Sequence, residues 1–219
     1  MSENAIAIEK IANGELKENC YVVSNSDMDC IIIDPGDEAD RIIGVIEDKK
    51  LNVLAILNTH GHYDHIGAVA GLKNHFKVPF YIHSADRKLV KSANLYIKLF
   101  NGKNAIVIPE MDDFFDNKES TMYFGRIQIH IVETPGHTNG SICLLINNHL
   151  FTGDTLFKGS VGRVDFPGGS AKKLRNSLNI LSKLPGTTTI HPGHGGDSSI
   201  EQEVCNNKVF IEASHEHHN

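Results

Sequence analysis

The chain of 219 residues has no tryptophan, only five tyrosines and only four cysteines. Cys20, Cys30, Cys143 and Cys205 form no C-x-x-C pair and are expected to be reduced, as small packed hydrophobes. The net charge is −6 with no block of Lys or Arg, which argues against a sequence-nonspecific nucleic-acid binder. No stretch approaches the roughly 20 apolar residues that span a bilayer, so no membrane partner is expected. The start, MSENAIAIEK, carries acidic residues in place of the apolar core of a secretory signal, so a cytoplasmic address is expected. Neither a Pro/Gly/Ser linker nor a repeat at a period of 20–50 residues interrupts the chain. Hydrophobic residues make up 40% and charged residues 22%, which excludes collagen-like, disordered and coiled-coil classes. One domain over residues 1–219 is expected, with a polar tail from about residue 213. At this length a core covering roughly 70% of the unfolded chain's surface forms without disulfides. What the chain has in excess is histidine, with 13.

Short β-type runs alternate with helical patterns. Cys20–Val23, Cys30–Ile33, Val53–Leu57 and Pro79–Ile82 read as strands, bounded by turn-forming residues such as Asp34-Pro35-Gly36. Ala39–Lys49, His65–Phe76 and Ser84–Phe100 read as amphipathic helices from their 3.6-residue spacing. The second half is richer in strands, at Ile127–Glu133, Ser141–Ile146, His149–Thr152 and Thr187–Ile190, with helices at Ala171–Lys183 and Ser199–Asn207. Strands and helices mixed in both halves predict an α/β (α+β) architecture of two sheets packed face to face with helices outside.

The strand at Val53–Leu57 runs into Asn58-Thr59-His60-Gly61-His62-Tyr63-Asp64-His65, which crowds four ligand-type side chains into six positions. A shuffled chain of this composition yields H-x-H-x-D-H roughly once in several hundred trials, so ordinary turn chemistry is the weaker reading. Clustered imidazoles repel when protonated and become favourable when, neutral, they donate lone pairs to a cation. In extended backbone His60 and His62 point to one side, while Asp64 and His65 lie where a helix begins and face another point. The motif therefore reads as half of a site for two adjacent metals. Further candidates sit just past later strands, next to glycines: His137 in Thr134-Pro135-Gly136-His137-Thr138, Asp154 in Gly153-Asp154-Thr155, and His194 in Pro192-Gly193-His194-Gly195. Asp34 is expected to support the metal loops through hydrogen bonds. His191 is expected to face away from the site, and His75, His83, His130 and His149 to be surface or satisfied core residues. The acidic, aromatic run Glu110–Asp116 is expected to border the substrate mouth.

In this order and spacing, H-x-H-x-D-H, T-P-G-H-T, G-D-T-L-F and P-G-H-G resemble the metallo-β-lactamase fold superfamily. Phe151–Phe157, Gly162–Ser170 and the segment from Pro192 through Glu203 resemble its short glyoxalase II-like (hydroxyacylglutathione hydrolase-like) branch. The resemblance runs from about Asn19 to Asn207. It implies a four-layer αββα sandwich of two mixed sheets with the metals at one edge. It also implies that His60, His62 and His137 hold one divalent ion, that Asp64, His65 and His194 hold a second, and that Asp154 bridges them. Zinc is the expected metal, with iron or manganese as alternatives. Arg163 falls where longer members carry a basic residue that touches glutathione, and with Tyr63 it is a candidate substrate contact. Residues 195–219 are too few to form the C-terminal helical domain that supplies much of the glutathione site in those longer members. The bridging Asp154 argues against β-lactam hydrolysis.

The activity this implies is a cytoplasmic, zinc-dependent hydrolase acting on a thioester, S-lactoylglutathione or a related acyl-thiol, by attack of a metal-bound hydroxide. Asp64 would bind metal and orient or deprotonate the nucleophile. A thiolate of pKa ~8.5 leaves without an acid to protonate it, whereas an alkoxide would want one. Alternatives are a mononuclear-iron persulfide dioxygenase of the same fold, ligated through His60, His137 and Asp154, or a lactonase. A bare metal-binding module fits less well, because the seven ligands leave open positions for water or substrate. The oligomeric state is left open by the sequence.

Overall fold

A computed structural model of the chain describes residues 5–100, 105–115 and 121–215. The first sheet contains β1 (Ile6–Asn13), β2 (Glu18–Asn25), β3 (Asp29–Ile33), β4 (Asn52–Leu57), β5 (Phe80–Ile82) and β6 (Asp113–Phe114), in that spatial order. β1, β2 and β3 pair antiparallel, whereas β3 to β6 run parallel. The second sheet contains β7 (Thr121–Phe124), β8 (Ile127–Glu133), β9 (Ile142–Ile146) and β10 (His149–Gly153). A small hairpin of β11 (Leu156–Phe157) and β12 (Ser160–Val161) follows, and β13 (Thr189–Pro192) and β14 (Ser198–Ser199) complete the sheet in the order β14-β13-β10-β9-β8-β7. The helices are α1 (Ala39–Asp48), α2 (Tyr63–Ile66), α3 (Val69–Phe76), α4 (Arg87–Lys91), α5 (Ala93–Phe100), α6 (Ala171–Leu181), α7 (Ile200–Asn206) and α8 (Lys208–His215).

Two-residue alternation along the strands sorts side chains into layers. Tyr21, Val23, Ile31, Ile33 and Leu57 face Ile129, Ile142, Leu144 and Phe151 between the sheets. Cys20, Val22, Cys30 and Ile32, one residue out of phase, pack under Ile42, Ile46, Val69 and Leu72 of α1 and α3. On the other flank Cys143, Leu150 and Ile190 pack under Leu174, Leu178, Ile200 and Phe210 of α6, α7 and α8. The result is the expected αββα sandwich of two mixed sheets. Among the cysteines, Cys20, Cys30 and Cys143 are buried and Cys205 is exposed, and all four are free thiols. No helix among the described residues is long and apolar enough to cross a membrane.

Several elements differ from the sequence expectation. The helix expected over His65–Phe76 is two helices: Ala68 N–H donates to Pro35 O (3.1 Å) instead of continuing the helical ladder. A side chain at Gly67 would lie 2.2 Å from Gly36 O, so glycine there admits the loop after β3. The helix expected over Ser84–Phe100 is a 3₁₀ turn at Ser84–Asp86 followed by α4 and α5, broken at Ser92, whose φ/ψ of −97/4 lies outside the helical basin. The last long strand begins at Thr189, not Thr187, because Thr188 N–H closes a turn on Pro185 O (2.9 Å). The tail expected from residue 213 is helical through His215, and Ala213 is buried against the second sheet's flank. Residues 216–219, and Asp116 of the expected mouth segment, lie outside the described residues.

Candidate metal centre

Every candidate ligand lies just beyond the C-terminal end of a strand, on loops that the rigid sheets hold in place. His60 and His62 follow β4, Asp64 and His65 open α2, His137 follows β8, Asp154 follows β10, and His194 follows β13. Short tethers hold these loops together. Ile142 N–H donates to Thr59 O (2.9 Å), Asn19 N–H to Gly193 O (2.7 Å) and Gly193 N–H to Gly153 O (2.8 Å). Tyr21 Oη and Asn19 Nδ2 both donate to Pro192 O, at 2.7 and 2.9 Å. A Cβ on Gly193 would lie 2.5 Å from Asp154 Oδ1 and 2.7 Å from His65 Cε1, so glycine lets this loop close on the cluster.

Three groups of donors converge among the described residues; one joins Asp34 to His60 and His65, and the other two hold the candidate ligands. His62 Nδ1 lies 3.0 Å from His60 Nε2 and 2.9 Å from His137 Nε2, all three residues being buried. In the second group Asp64 Oδ2 lies 3.3 Å from His194 Nε2 and 3.9 Å from His65 Nε2. The donor atoms of each group lie within 4.8 Å of one another. Asp154 stands between the groups: Oδ2 is 3.5 Å from His137 Nε2, while Oδ1 is 3.4 Å from His65 Nε2 and 3.8 Å from His194 Nε2. His65 Nε2 and Asp154 Oδ1 are buried and make no hydrogen bond. Such orphaned atoms are costly unless a cation completes them, and imidazole with carboxylate is a donor set suited to a divalent ion.

The electrostatics agree with that fit. Burial, reinforced by the neighbouring imidazoles, holds His60 well below its ordinary pKa and lowers His62 to about 3, which keeps their lone pairs free. Burial opposes ionisation of Asp154, but His65, His60 and His137 overcome it and hold the carboxyl well below the usual range. Asp64 is also lowered, by His65 and His194 against the cost of burial. Conversely, burial disfavours charge on His65, yet Asp154 and Asp64 raise it well above the usual imidazole value. His194 is raised likewise, burial being outweighed by Asp64 and Asp154. A pocket whose carboxylates draw protons onto buried imidazoles is one that a metal cation can enter by displacing those protons.

Asp34 lies behind this cluster. Its Oδ1 accepts from Thr59 N–H (2.7 Å), and its Oδ2 accepts from Thr59 Oγ1 (2.6 Å) and sits 3.2 Å from His65 Nδ1, while Asp64 and Asp154 approach Nε2 of the same ring. Sequence reasoning missed two further buried carboxylates. Asp86 Oδ2 accepts from Gly61 N–H (2.9 Å), between His60 and His62, and from Thr138 Oγ1 (2.7 Å), beside His137. Its Oδ1 accepts from Gly140 N–H (2.8 Å), so Asp86 braces the two loops that make the first group. Glu18 lies 3.7 Å from His65 Nδ1, and burial raises its pKa well above the usual range. Neither carries a motif; their spacing from the histidines is set only by the fold.

The remaining candidates lie elsewhere. Tyr63 packs on the core between the first sheet and its helices. The Arg163 guanidinium is exposed, forms a two-pronged pair with Asp165 (2.6 and 2.7 Å) and lies over Phe166 at 3.9 Å; it is the Arg163 carbonyl that meets His137 Nδ1, at 2.8 Å. His191 turns from the cluster onto Tyr21 and Phe151 and pairs with His149 Nδ1 (2.9 Å). His75 meets Glu47, His83 caps the turn at Ser84, and His130 meets Thr121. Within the run at 110–116, Asp112 accepts from Phe80 N–H (2.8 Å) and Phe115 is buried between the sheets.

The family model of the metallo-beta-lactamase superfamily matches residues 13–194, which contain every donor above. The chain belongs to the metallo-beta-lactamase superfamily. Within it, the chain is 34% identical over 209 residues to the hydroxyacylglutathione hydrolase GloC of Haemophilus influenzae, spanning 91% of this chain and 96% of GloC. Among solved structures it is similar to BLEG-1, a B3 metallo-beta-lactamase, with a TM-score of 0.88 and 33% identity over 93% of this chain and 99% of the other. It is similar too to TTHA1623 in a di-iron-bound form, with a TM-score of 0.83 and 36% identity over 91% and 98%. A metallo-hydrolase fold with a divalent-metal site and a small-molecule substrate is therefore the frame for this chain's function.

Proposed function

We propose that the chain is a binuclear metallohydrolase that cleaves a thioester, S-lactoylglutathione or a related acyl-thiol. The observation that carries the reading is Asp154, whose two oxygens face two separate sets of imidazoles. His60, His62 and His137 would hold one ion, Asp64, His65 and His194 the other, with Asp154 shared between them. Two divalent ions supply Lewis acidity and an acidified water at neutral pH. The chain's residues supply the rest. Asp64, with Oδ2 3.3 Å from His194 Nε2, would bind metal and orient the nucleophilic water; Asp34 fixes the ring of His65 from behind. A thioester needs no separate general acid, because a thiolate of pKa ~8.5 departs without one. Zinc is the proposed occupant, and the di-iron form of TTHA1623 supports iron as the alternative.

Release of free thiol tests the reading. Metal-reconstituted protein is expected to hydrolyse at least one of S-lactoylglutathione, S-acetylglutathione and an acyl-N-acetylcysteamine well above the metal-free protein. No release from any of them overturns thioester hydrolysis. A single bound iron with oxygen consumption on glutathione persulfide replaces it with the dioxygenase reading, and preferential opening of lactones replaces it with lactonase activity.

A further inference from the structure

Beside the first group of donors, aromatic rings continue outward from the cluster. The His62 ring meets Phe166 edge-on at 5.8 Å, Phe166 stacks on Phe100 at 4.9 Å and 30°, and Phe100 stacks on Tyr96 at 6.2 Å and 5°. Phe100 is 54% exposed although it belongs to this stack, and Leu99 beside it is 64% exposed. At this rim the Arg163 guanidinium lies 3.9 Å over the Phe166 ring and pairs two-pronged with Asp165. The exposed Phe100 and half-buried Phe166 therefore leave apolar ring edges open to solvent along this rim. Large apolar side chains left in water cost free energy, and a run of them leading to a reactive cluster is the form that apolar ligand sites take.

We propose that Phe166, Phe100 and Tyr96 form the acyl subsite, which selects thioesters with an aliphatic or aromatic acyl chain over those with a short polar one. This rests on the thioester reading of the metal centre and adds the substrate class. The acyl carbon lies at the cluster beside His62, and the chain beyond it lies along Phe166 toward Phe100, exchanging exposed ring surface for contact with the ligand. Phe100 is the specificity-determining residue, because it is exposed and its replacement removes no core packing.

The test compares acetyl, hexanoyl and phenylacetyl thioesters of one uncharged thiol, N-acetylcysteamine. Expected are kcat/KM values that rise on the order of tenfold from acetyl to phenylacetyl, as apolar subsites of this size discriminate. Phe100→Ala is expected to flatten that series and Phe100→Trp to keep it. A second readout is calorimetric binding of S-(2-phenylethyl)-N-acetylcysteamine, a thioether that cannot be hydrolysed, to the wild type and to Phe100→Ala. Binding that depends on Phe100, without hydrolysis of any thioester, keeps the apolar subsite and overturns the reaction. Thioester hydrolysis with no dependence on acyl chain, and thioether binding indifferent to Phe100, overturns the subsite and keeps the reaction.

Discussion

Asp154 is the residue on which the centre turns, since its two oxygens meet histidines of both groups. Asp154→Ala is expected to lower bound metal by one ion or more per chain and to cut hydrolysis by at least a hundredfold, read by metal analysis and thiol release. Asp86 makes a subtler prediction. Its carboxylate holds Gly61, Thr138 and Gly140 and touches no ligand ring, so it acts through the loops. Asp86→Asn places an amide against buried N–H donors and is expected to weaken zinc binding roughly 10–100-fold, as loss of supporting contacts does. Chelator competition reads the affinity, and an unchanged value contradicts a positioning role. Asp34 was legible because Asp-Pro-Gly ends a strand; Asp86 was not, because its neighbours in sequence, Ser84-Ala85 and Arg87-Lys88, say nothing of the loops it joins.

At the scale of elements, the strand-end loops work because flanking polar contacts lock them. β13 is an example: His191 packs on Tyr21 and Phe151, bonds His149 and approaches Asp197 Oδ2 at 3.3 Å, while Lys10 reaches Asp197 Oδ1 (2.9 Å) and Gly195 O (2.7 Å). Burial, against the pull of Asp197, lowers His191 to about 4. A depressed histidine contributes stability that is complete above the unfolded value near 6.5 and is lost as pH falls toward 4, at most about 3 kcal/mol for such a shift. Denaturant unfolding of the metal-free protein is expected to show a loss of stability between pH 6.5 and 4, and His191→Gln to lessen it. An equal slope in the variant contradicts the assignment. Helix and strand positions were legible where apolar periodicity was strong, as in α1, β4 and β9. β1 was not, because Glu9 and Lys10 interrupt its pattern at an edge, and the breaks at Gly67–Ala68 and Ser92 are set by contacts distant in sequence.

Across the whole molecule, the sandwich is held by three apolar layers, and α8 seals the outermost with Phe210, fully buried beside Leu174 and Leu178. Phe210→Ala is expected to cost about 3–5 kcal/mol and to lower Tm on the order of 10 °C while leaving metal content unchanged. A Tm within a degree of the wild type contradicts that role. The αββα architecture was legible from mixed strands and helices together with the motif order, whereas α8 was hidden in a polar, histidine-rich end. The seven ligand candidates were legible because they crowd into H-x-H-x-D-H after β4 or lie past a later strand beside glycine. The aromatic rim was not, since Phe100 and Phe166 are ordinary apolar residues until the fold stacks them. These layers hold two groups of histidines against the Asp154 carboxylate. The metal-to-chain ratio of protein purified and reloaded with zinc tests that most directly: two ions per chain are predicted, falling to one or none in Asp154→Ala, whereas a wild-type ratio that saturates at one contradicts the shared centre.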